Sequence, residues 1–168
     1  MFDFGIEGYR PQWLSGRGEV LREHRRRLRA LCGRPLTGFW MAWDLDDDEW
    51  FCDCPVLLDF AGEQVEVNHH EFDEVSLTWS TIDPGRSLRW AGFDLQWRSE
   101  PLPEVQALCG LPLQRVELLG WMGKDAAHGA VDVSFVFPDG RVSVFNALDE
   151  NGLDFARPSA EQHPYTVH

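Results

Sequence analysis

Two cysteines and two histidines in the first half of the chain are of the residue types that bind zinc. Cys52 and Cys54 lie two positions apart, and His69 and His70 are neighbours. Zinc sites usually separate a cysteine pair by two or more residues, and positions i and i+2 of a strand cannot grip one ion unless the chain bends, as at Pro55. The second half has no such residues at the matching positions. We therefore expect no metal and no cofactor. The alternative is a metal ion held by Cys52, Cys54, His69 and His70.

Two acidic pairs follow similar asparagine-containing segments, "NHHEFDE" (68–74) and "NALDEN" (146–151). Asp73 with Glu74, and Asp149 with Glu150, could bring carboxylates together for acid–base chemistry or for a divalent cation. The same residue types are also ordinary capping choices where a strand runs into a turn. A catalytic role for these four carboxylates is therefore an alternative hypothesis.

The segment "DLDDDE" (44–49) holds five acidic residues within six positions, and tryptophans lie beside it. It lacks the central glycine and the distant glutamate of a calcium-binding loop. Acidic side chains beside aromatic ones are typical of a surface that attracts and holds a basic protein. The predicted partner-binding residues are Trp43, Asp44, Asp46, Asp47, Asp48, Glu49 and Trp50. A solvated loop without a partner is the simpler alternative for this segment.

Several enzyme signatures are missing from the chain. There is no G-x-S-x-G, and no G-x-G-x-x-G follows a predicted strand. The segment "GWMGKD" (120–125) lacks the first glycine and the final Ser or Thr of a phosphate-binding loop. We expect a binding protein rather than an enzyme.

The net charge of −13 is unevenly distributed. Residues 15–34 contain seven arginines and two glutamates, whereas the rest of the chain has 26 acidic and eight basic residues. Such a surface repels nucleic acid and speeds the encounter with a basic protein. We therefore expect a basic protein partner and no nucleic acid, with solubility alone as the simpler explanation of the charge.

Composition and the pattern of apolar residues predict a cytoplasmic protein. With 168 residues and 43% hydrophobic residues, it can form one self-sufficient core. Its apolar runs are too short to span a membrane, and its start has neither a basic nor an apolar leader segment. The four cysteines are then expected to be reduced thiols. Fourteen of the fifteen basic residues are arginine, which indicates a GC-rich bacterial genome.

A repeated phrase indicates an internal duplication. "RALCGRPL" (29–36) returns as "QALCGLPL" (106–113), and each copy lies between a helical pattern and a series of alternating strand patterns. The predicted helices span 18–32 and 101–110. The predicted strands span 36–45, 50–60, 64–69, 73–80, 112–121, 131–137 and 141–148.

The predicted fold is α+β, with two tandem pseudo-symmetric units that share one core. Each unit is a helix followed by an antiparallel β-meander, in one continuous sheet or in two. Within the single domain 1–168 we expect an N-terminal arm (1–15) whose Phe2, Phe4 and Trp13 pack on the body, a first unit (18–80), a connector hairpin (81–100), a second unit (101–156) and a loose tail (157–168).

The leading functional hypothesis is a small acidic cytosolic module, like a bacterial immunity protein or antitoxin, that neutralises or escorts a basic protein. It would act as a monomer or a homodimer. The alternative is an enzyme or small-molecule binder with a carboxylate site in the crease between the two units.

Overall fold

The computed structural model describes residues 4–168, so Phe2 of the predicted arm lies outside the described residues. The chain forms two antiparallel sheets and two short helices, a broadly α+β arrangement. Neither helix is long and apolar enough to cross a membrane within this range.

The first sheet contains seven strands from residues 14–99. The strands are β1 (Leu14–Ser15), β2 (Gly38–Asp44), β3 (Glu49–Trp50), β4 (Val56–Phe60), β5 (Glu63–His70), β6 (Glu74–Trp79) and β7 (Leu95–Ser99). Strand β2 pairs with β4 and the short β3 along one edge and with β7 along the other, and the order continues from β4 through β5 and β6 to β1.

The second sheet has five strands. They are β8 (Arg115–Trp121), β9 (Val131–Phe137), β10 (Gly140–Asn146), β11 (Asn151–Asp154) and β12 (Gln162–Thr166). Their order in the sheet is β11-β10-β9-β8-β12. The expectation of a loose tail was wrong, because β12 pairs with β8 over its whole length and Val167 is buried. Pro164 hides this strand from the sequence pattern, but it is tolerated because β12 lies at a sheet edge.

The main core lies between the two sheets. Alternate residues of the first sheet, such as Phe39, Leu58 and Val67, share this core with Val116 and Phe135 of the second. A second cluster covers the opposite face of the first sheet, where Phe4, Ile6 and Tyr9 of the arm pack with the 82–97 region.

Helix α1 (Gly16–Ala30) buries Val20, His24 and Leu28 and begins two residues earlier than predicted. Helix α2 (Pro103–Gln106) is a single turn, shorter than the predicted 101–110, because its pattern contains little beyond Val105 and Leu108 to bury. The predicted strand 50–60 is split into β3 and β4, since residues 52–54 form a turn before Pro55.

The repeated phrases meet at the centre of the molecule. Pro35 and Pro112 form an antiparallel bridge. The Gly33 amide donates to the Leu113 carbonyl at 2.8 Å, and the Gly110 amide donates to the Leu36 carbonyl at 2.7 Å. The two bonds are equivalent, because Gly110 lies 77 positions after Gly33 and Leu113 lies 77 positions after Leu36.

The strand registers repeat with the same spacing. Val56 lies opposite Val67, and 77 positions later Val133 lies opposite Val144. Gly38 lies opposite Asp59, as Arg115 lies opposite Val136. The meanders β2-β4-β5-β6 and β8-β9-β10-β11 therefore have the same strand order and the same register in their first two pairs. The third pair is shifted by one residue, since Asn68 lies opposite Ser76 and Phe145 lies opposite Gly152.

Candidate functional site

The β5–β6 turn of the first sheet meets the β10–β11 turn of the second. The Asn146 side-chain amide donates a hydrogen bond to the Glu71 carbonyl and so joins the two turns. Beside this contact lies a cavity of about 410 Å³, which we call the crease. The crease is lined by Phe4, Asp53, His69, His70, Glu71, Trp90 and Asp149.

Asn151 holds the two sheets together next to the crease. Its side-chain amide donates to the carbonyls of Cys52 and Cys54, both at 3.0 Å, and to Asn68 Oδ1 at 2.7 Å. Its Oδ1 accepts the His69 amide at 2.8 Å. Asn68, His69 and the Cys54 carbonyl are buried, so losing the Asn151 side chain would leave buried polar groups without partners, and Asn151 is a structural clamp.

His69 belongs to this clamp and is 3% exposed. Its Nδ1 lies 3.2 Å from Asn151 Oδ1, and its Nε2 lies 3.1 Å from the Val131 carbonyl. A neutral ring carries one N–H and can donate to only one of these acceptors, so the two acceptors favour the protonated ring. Burial has the larger and opposite effect and lowers the pKa of His69 to about 4, so the ring is neutral near pH 7. Both ring nitrogens therefore face protein acceptors rather than the cavity.

Of the two histidines in the crease, His70 is the one whose ring a ligand can reach. It is half-buried, its ring stacks on Trp13 with centroids 4.9 Å apart, and its Nδ1 lies 3.2 Å from Glu74 Oε2. Ligand atoms of His70, Glu71 and Glu74 lie within 4.8 Å of one another. One imidazole and two carboxylates in this arrangement could hold a divalent cation and leave positions for water.

Of the four predicted catalytic carboxylates, one lines the crease. Asp149 lines it, and Glu74 borders it through His70. Asp73 is half-buried in the β5–β6 turn, and Glu150 is exposed in the β10–β11 turn.

The predicted cysteine and histidine cluster does not meet as a set of zinc ligands within residues 4–168, where the one metal-capable group is that of His70. Cys54 is fully buried, and burial raises the pKa of its thiol. The Cys52 thiol donates to the Trp50 carbonyl at 3.6 Å. Burial, followed by the charges of Glu150, Asp53 and Glu49, raises the pKa of Cys52 to about 11. Both cysteines are therefore protonated and unreactive near pH 7.

The acidic segment 44–49 forms the tip of the β2–β3 hairpin. Asp44 is 4% exposed, and its Oδ1 accepts the amides of Asp46 at 2.9 Å and Asp47 at 3.4 Å. Asp44 therefore supports the loop from within, where a partner cannot contact it. The side chains of Asp46, Asp47 and Glu49 are exposed.

Asp48 and Trp43 form a separate cluster with Arg98. Asp48 Oδ1 accepts hydrogen bonds from Trp43 Nε1 at 2.9 Å and from Arg98 at 3.1 Å, and these bonds hold the pKa of Asp48 below its usual value. The Arg98 guanidinium lies 4.8 Å from the Trp43 ring centroid. Trp50 is half-buried against the main core.

The hairpin tip and the crease belong to one acidic region. The Cys52 thiol is close enough to Glu49, Asp53 and Glu150 to feel their charges, and Asp53 lines the crease with Glu71 and Asp149. We call this region the acidic rim, defined as Asp46, Asp47, Glu49, Asp53, Glu71, Asp149 and Glu150.

Sequence reasoning missed Asn151 and Glu71. An asparagine that begins a short strand resembles an ordinary turn residue, and its four partner residues lie between 82 and 99 positions earlier in the chain. Glu71 lies beside the predicted histidines, but it has a positive φ of 49° that no sequence pattern indicated.

A scan against protein-family models gave no match, and neither did searches of curated proteins and of solved structures.

Proposed function

We propose that this protein is a non-catalytic module that binds a basic protein through the acidic rim. The observation that carries the proposal is the hairpin tip, where the buried Asp44 holds the backbone of Asp46 and Asp47. The carboxylates of Asp46, Asp47 and Glu49 are exposed on this ordered loop. A loop already folded before binding loses less entropy when a partner docks.

Charge also supports a basic partner. The acidic rim brings together carboxylates from four turns, and its formal charge is entirely negative. Lysine and arginine side chains of a partner would pair with these carboxylates and would be guided toward the rim over long distances.

The biological role we infer is neutralising or escorting the partner, as immunity proteins and antitoxins do. The four cysteines are free thiols, which suits a cytoplasmic setting. Arginines of α1 are engaged within the chain: Arg27 lies 2.6 Å from Glu63, and Arg25 donates to the Tyr165 hydroxyl at 3.4 Å. In this proposal the external cation binds the acidic rim.

The test is affinity capture from the source cells with two variants of equal net charge. The first variant, Asp46→Asn, Asp47→Asn and Glu49→Gln, changes the hairpin tip. The second variant changes three exposed carboxylates elsewhere: Glu104→Gln, Asp139→Asn and Glu161→Gln. A basic protein should be captured by the wild type and the second variant, and about 10- to 100-fold less by the first. Equal loss in both variants would show a non-specific effect of net charge and would overturn the proposal.

We also propose that the two units, residues 18–80 and 101–156, arose by tandem duplication. The support is the paired hydrogen bonds around Pro35 and Pro112 and the common spacing of 77 in the strand registers. In this alignment His69 corresponds to Asn146, which places the crease between related turns.

A second candidate function is a cation-dependent site in the crease, favoured by the cluster of His70, Glu71 and Glu74. Isothermal titration of the untagged protein with Zn²⁺ tests it. We expect one site per chain, at least about tenfold weaker in His70→Gln and unchanged in the control His163→Gln, whose side chain is exposed. Equal affinities in all three proteins would exclude the site.

A further inference from the structure

A second cavity lies on the outer face of the second sheet, away from the main core. Its volume is about 370 Å³, and side chains of β8, β9, β10 and β12 line it. This volume falls in the range of small-ligand sites. The 147–150 turn separates this cavity from the crease, because Leu148 lines the former and Asp149 lines the latter.

The corresponding place on the first sheet is filled by the N-terminal arm. There the Tyr9 hydroxyl accepts a hydrogen bond from the Asn68 side-chain amide, and the backbone amide of Gln12 donates to the Ser76 hydroxyl at 3.1 Å. Asn68 pairs with Ser76 just as Phe145 pairs with Gly152 in the second sheet. Phe145 lines the outer cavity, so the cavity occupies the position that the arm covers on the first sheet.

Two aromatic walls of the outer cavity are already fixed in place. Trp121 packs against Gly123, its Nε1 donates to Asp125 Oδ1 at 2.9 Å, and Phe145 packs against Gly152. A Cβ at either glycine would collide with the ring beside it. The cavity is therefore preformed, and a ligand would not have to order these rings.

A buried carboxylate lies in the lining. Asp132 is 5% exposed, and its Oδ2 accepts a hydrogen bond from Gln162 Nε2 at 2.8 Å. The other charged groups in the lining are Asp125 and Asp154, so the formal charge of the cavity is entirely negative. Burial raises the pKa of Asp132 to about 6. A carboxylate that has lost its hydration gains from a cationic partner.

We propose that the outer cavity binds a small organic ammonium compound with a flat apolar body. The ammonium would pair with Asp132, and the apolar body would lie against Trp121 and Phe145. Aromatic faces attract cations in addition to apolar groups, so both halves of such a ligand fit the lining. This site is independent of the acidic rim and of the proposed function.

The test compares tryptamine with its alcohol analogue, tryptophol, by isothermal titration of the full chain near pH 7.5. The two probes share an indole ring and differ in charge. We expect tryptamine to bind at least about tenfold more tightly, because it forms a charged hydrogen bond to Asp132. The preference should disappear in Asp132→Asn and persist in Asp139→Asn, a change in the exposed β9–β10 turn.

A second measurement needs no variant and uses the same probes at pH 5. Tryptamine stays protonated at both pH values, whereas Asp132 becomes neutral at the lower one, so the preference for tryptamine should fall. Three results would overturn the proposal: equal binding of the two probes near pH 7.5, a preference retained in Asp132→Asn and at pH 5, or no binding of tryptamine at about 5 mM.

Discussion

At the scale of single residues, burial separates polar side chains that the sequence does not distinguish. His69 and His70 are adjacent, yet His69 is enclosed by Asn151 and Val131 while His70 lies half-exposed beside Glu74. Asp44 and Asp46 show the same contrast, because one supports the hairpin from within and the other faces solvent. A strand pattern predicts that neighbours point to opposite faces, but it does not predict what covers each face.

The pH dependence of stability tests the burial of His69. Its folded pKa of about 4 is below the usual unfolded value of about 6.5, so the unfolded chain binds a proton more readily between these values. The stabilisation from the neutral ring is complete above pH 6.5 and is lost as the pH falls toward 4. Urea unfolding across this range should show the advantage of wild type over His69→Gln shrinking by about 3 kcal/mol.

Comparison with His69→Gln is needed because Asp132 acts in the opposite direction. Its raised pKa of about 6 favours the folded state at low pH, and this contribution is lost as the pH rises from about 4 to 6. Both proteins retain Asp132, so its contribution cancels in the difference. His163→Gln, an exposed control, should follow the wild-type profile. A constant difference between wild type and His69→Gln would contradict the burial of a neutral ring.

At the scale of secondary structure, alternation predicted the strands well and failed where turns interrupt it. The strictly alternating segment "QVEVNH" lies within β5, whereas the apolar segment 50–60 is divided by the turn at 52–54. In β12, the proline and polar residues concealed a strand whose stability comes from pairing with β8. Local pattern does not report such long-range pairing.

The β10–β11 turn supplies a prediction at this scale. Leu148 and Asp149 both have positive φ, 64° and 72°, and Leu148 is 69% exposed at the edge of the outer cavity. Leucine adopts this conformation at a cost that asparagine largely avoids. Leu148→Asn should therefore raise the free energy of unfolding by about 0.5–1 kcal/mol, measured by urea denaturation.

Leu45→Asn is the matched control for the turn. Leu45 is also exposed, at 39%, but it is not among the residues with positive φ. This control should not stabilise the protein, because it changes the same side chain without relieving backbone strain. Equal effects of the two substitutions would contradict the explanation by backbone conformation.

At the scale of the whole molecule, the repeated phrase was predicted to mark where each half begins, and its two occurrences pair with each other at the centre of the fold. The sequence left open one sheet or two, and there are two. The sequence predicted that aromatic residues of the arm, such as Phe4 and Trp13, pack on the body, but residues without a period do not indicate which sheet face they cover. The outer cavity lies where the second sheet corresponds to the part of the first sheet that the arm covers, so it could not be predicted from the sequence either.

Charge is also organised at this scale. The arginines of α1 lie near Glu63 and Tyr165, whereas the acidic rim collects carboxylates from turns that are distant in sequence. The sequence predicted the acidic hairpin from its composition, but not its continuity with the crease. That continuity requires the fold to bring residues 46–53, 71 and 149–150 together.

The most direct test of the acidic rim is the salt dependence of partner binding. With the captured basic protein, the dissociation constant is measured between about 50 and 500 mM NaCl for wild type, the hairpin-tip variant and the charge-matched variant. The account predicts that affinity falls steeply with salt for wild type and the charge-matched variant, and much less steeply for the hairpin-tip variant. Identical salt dependence in all three proteins would contradict it.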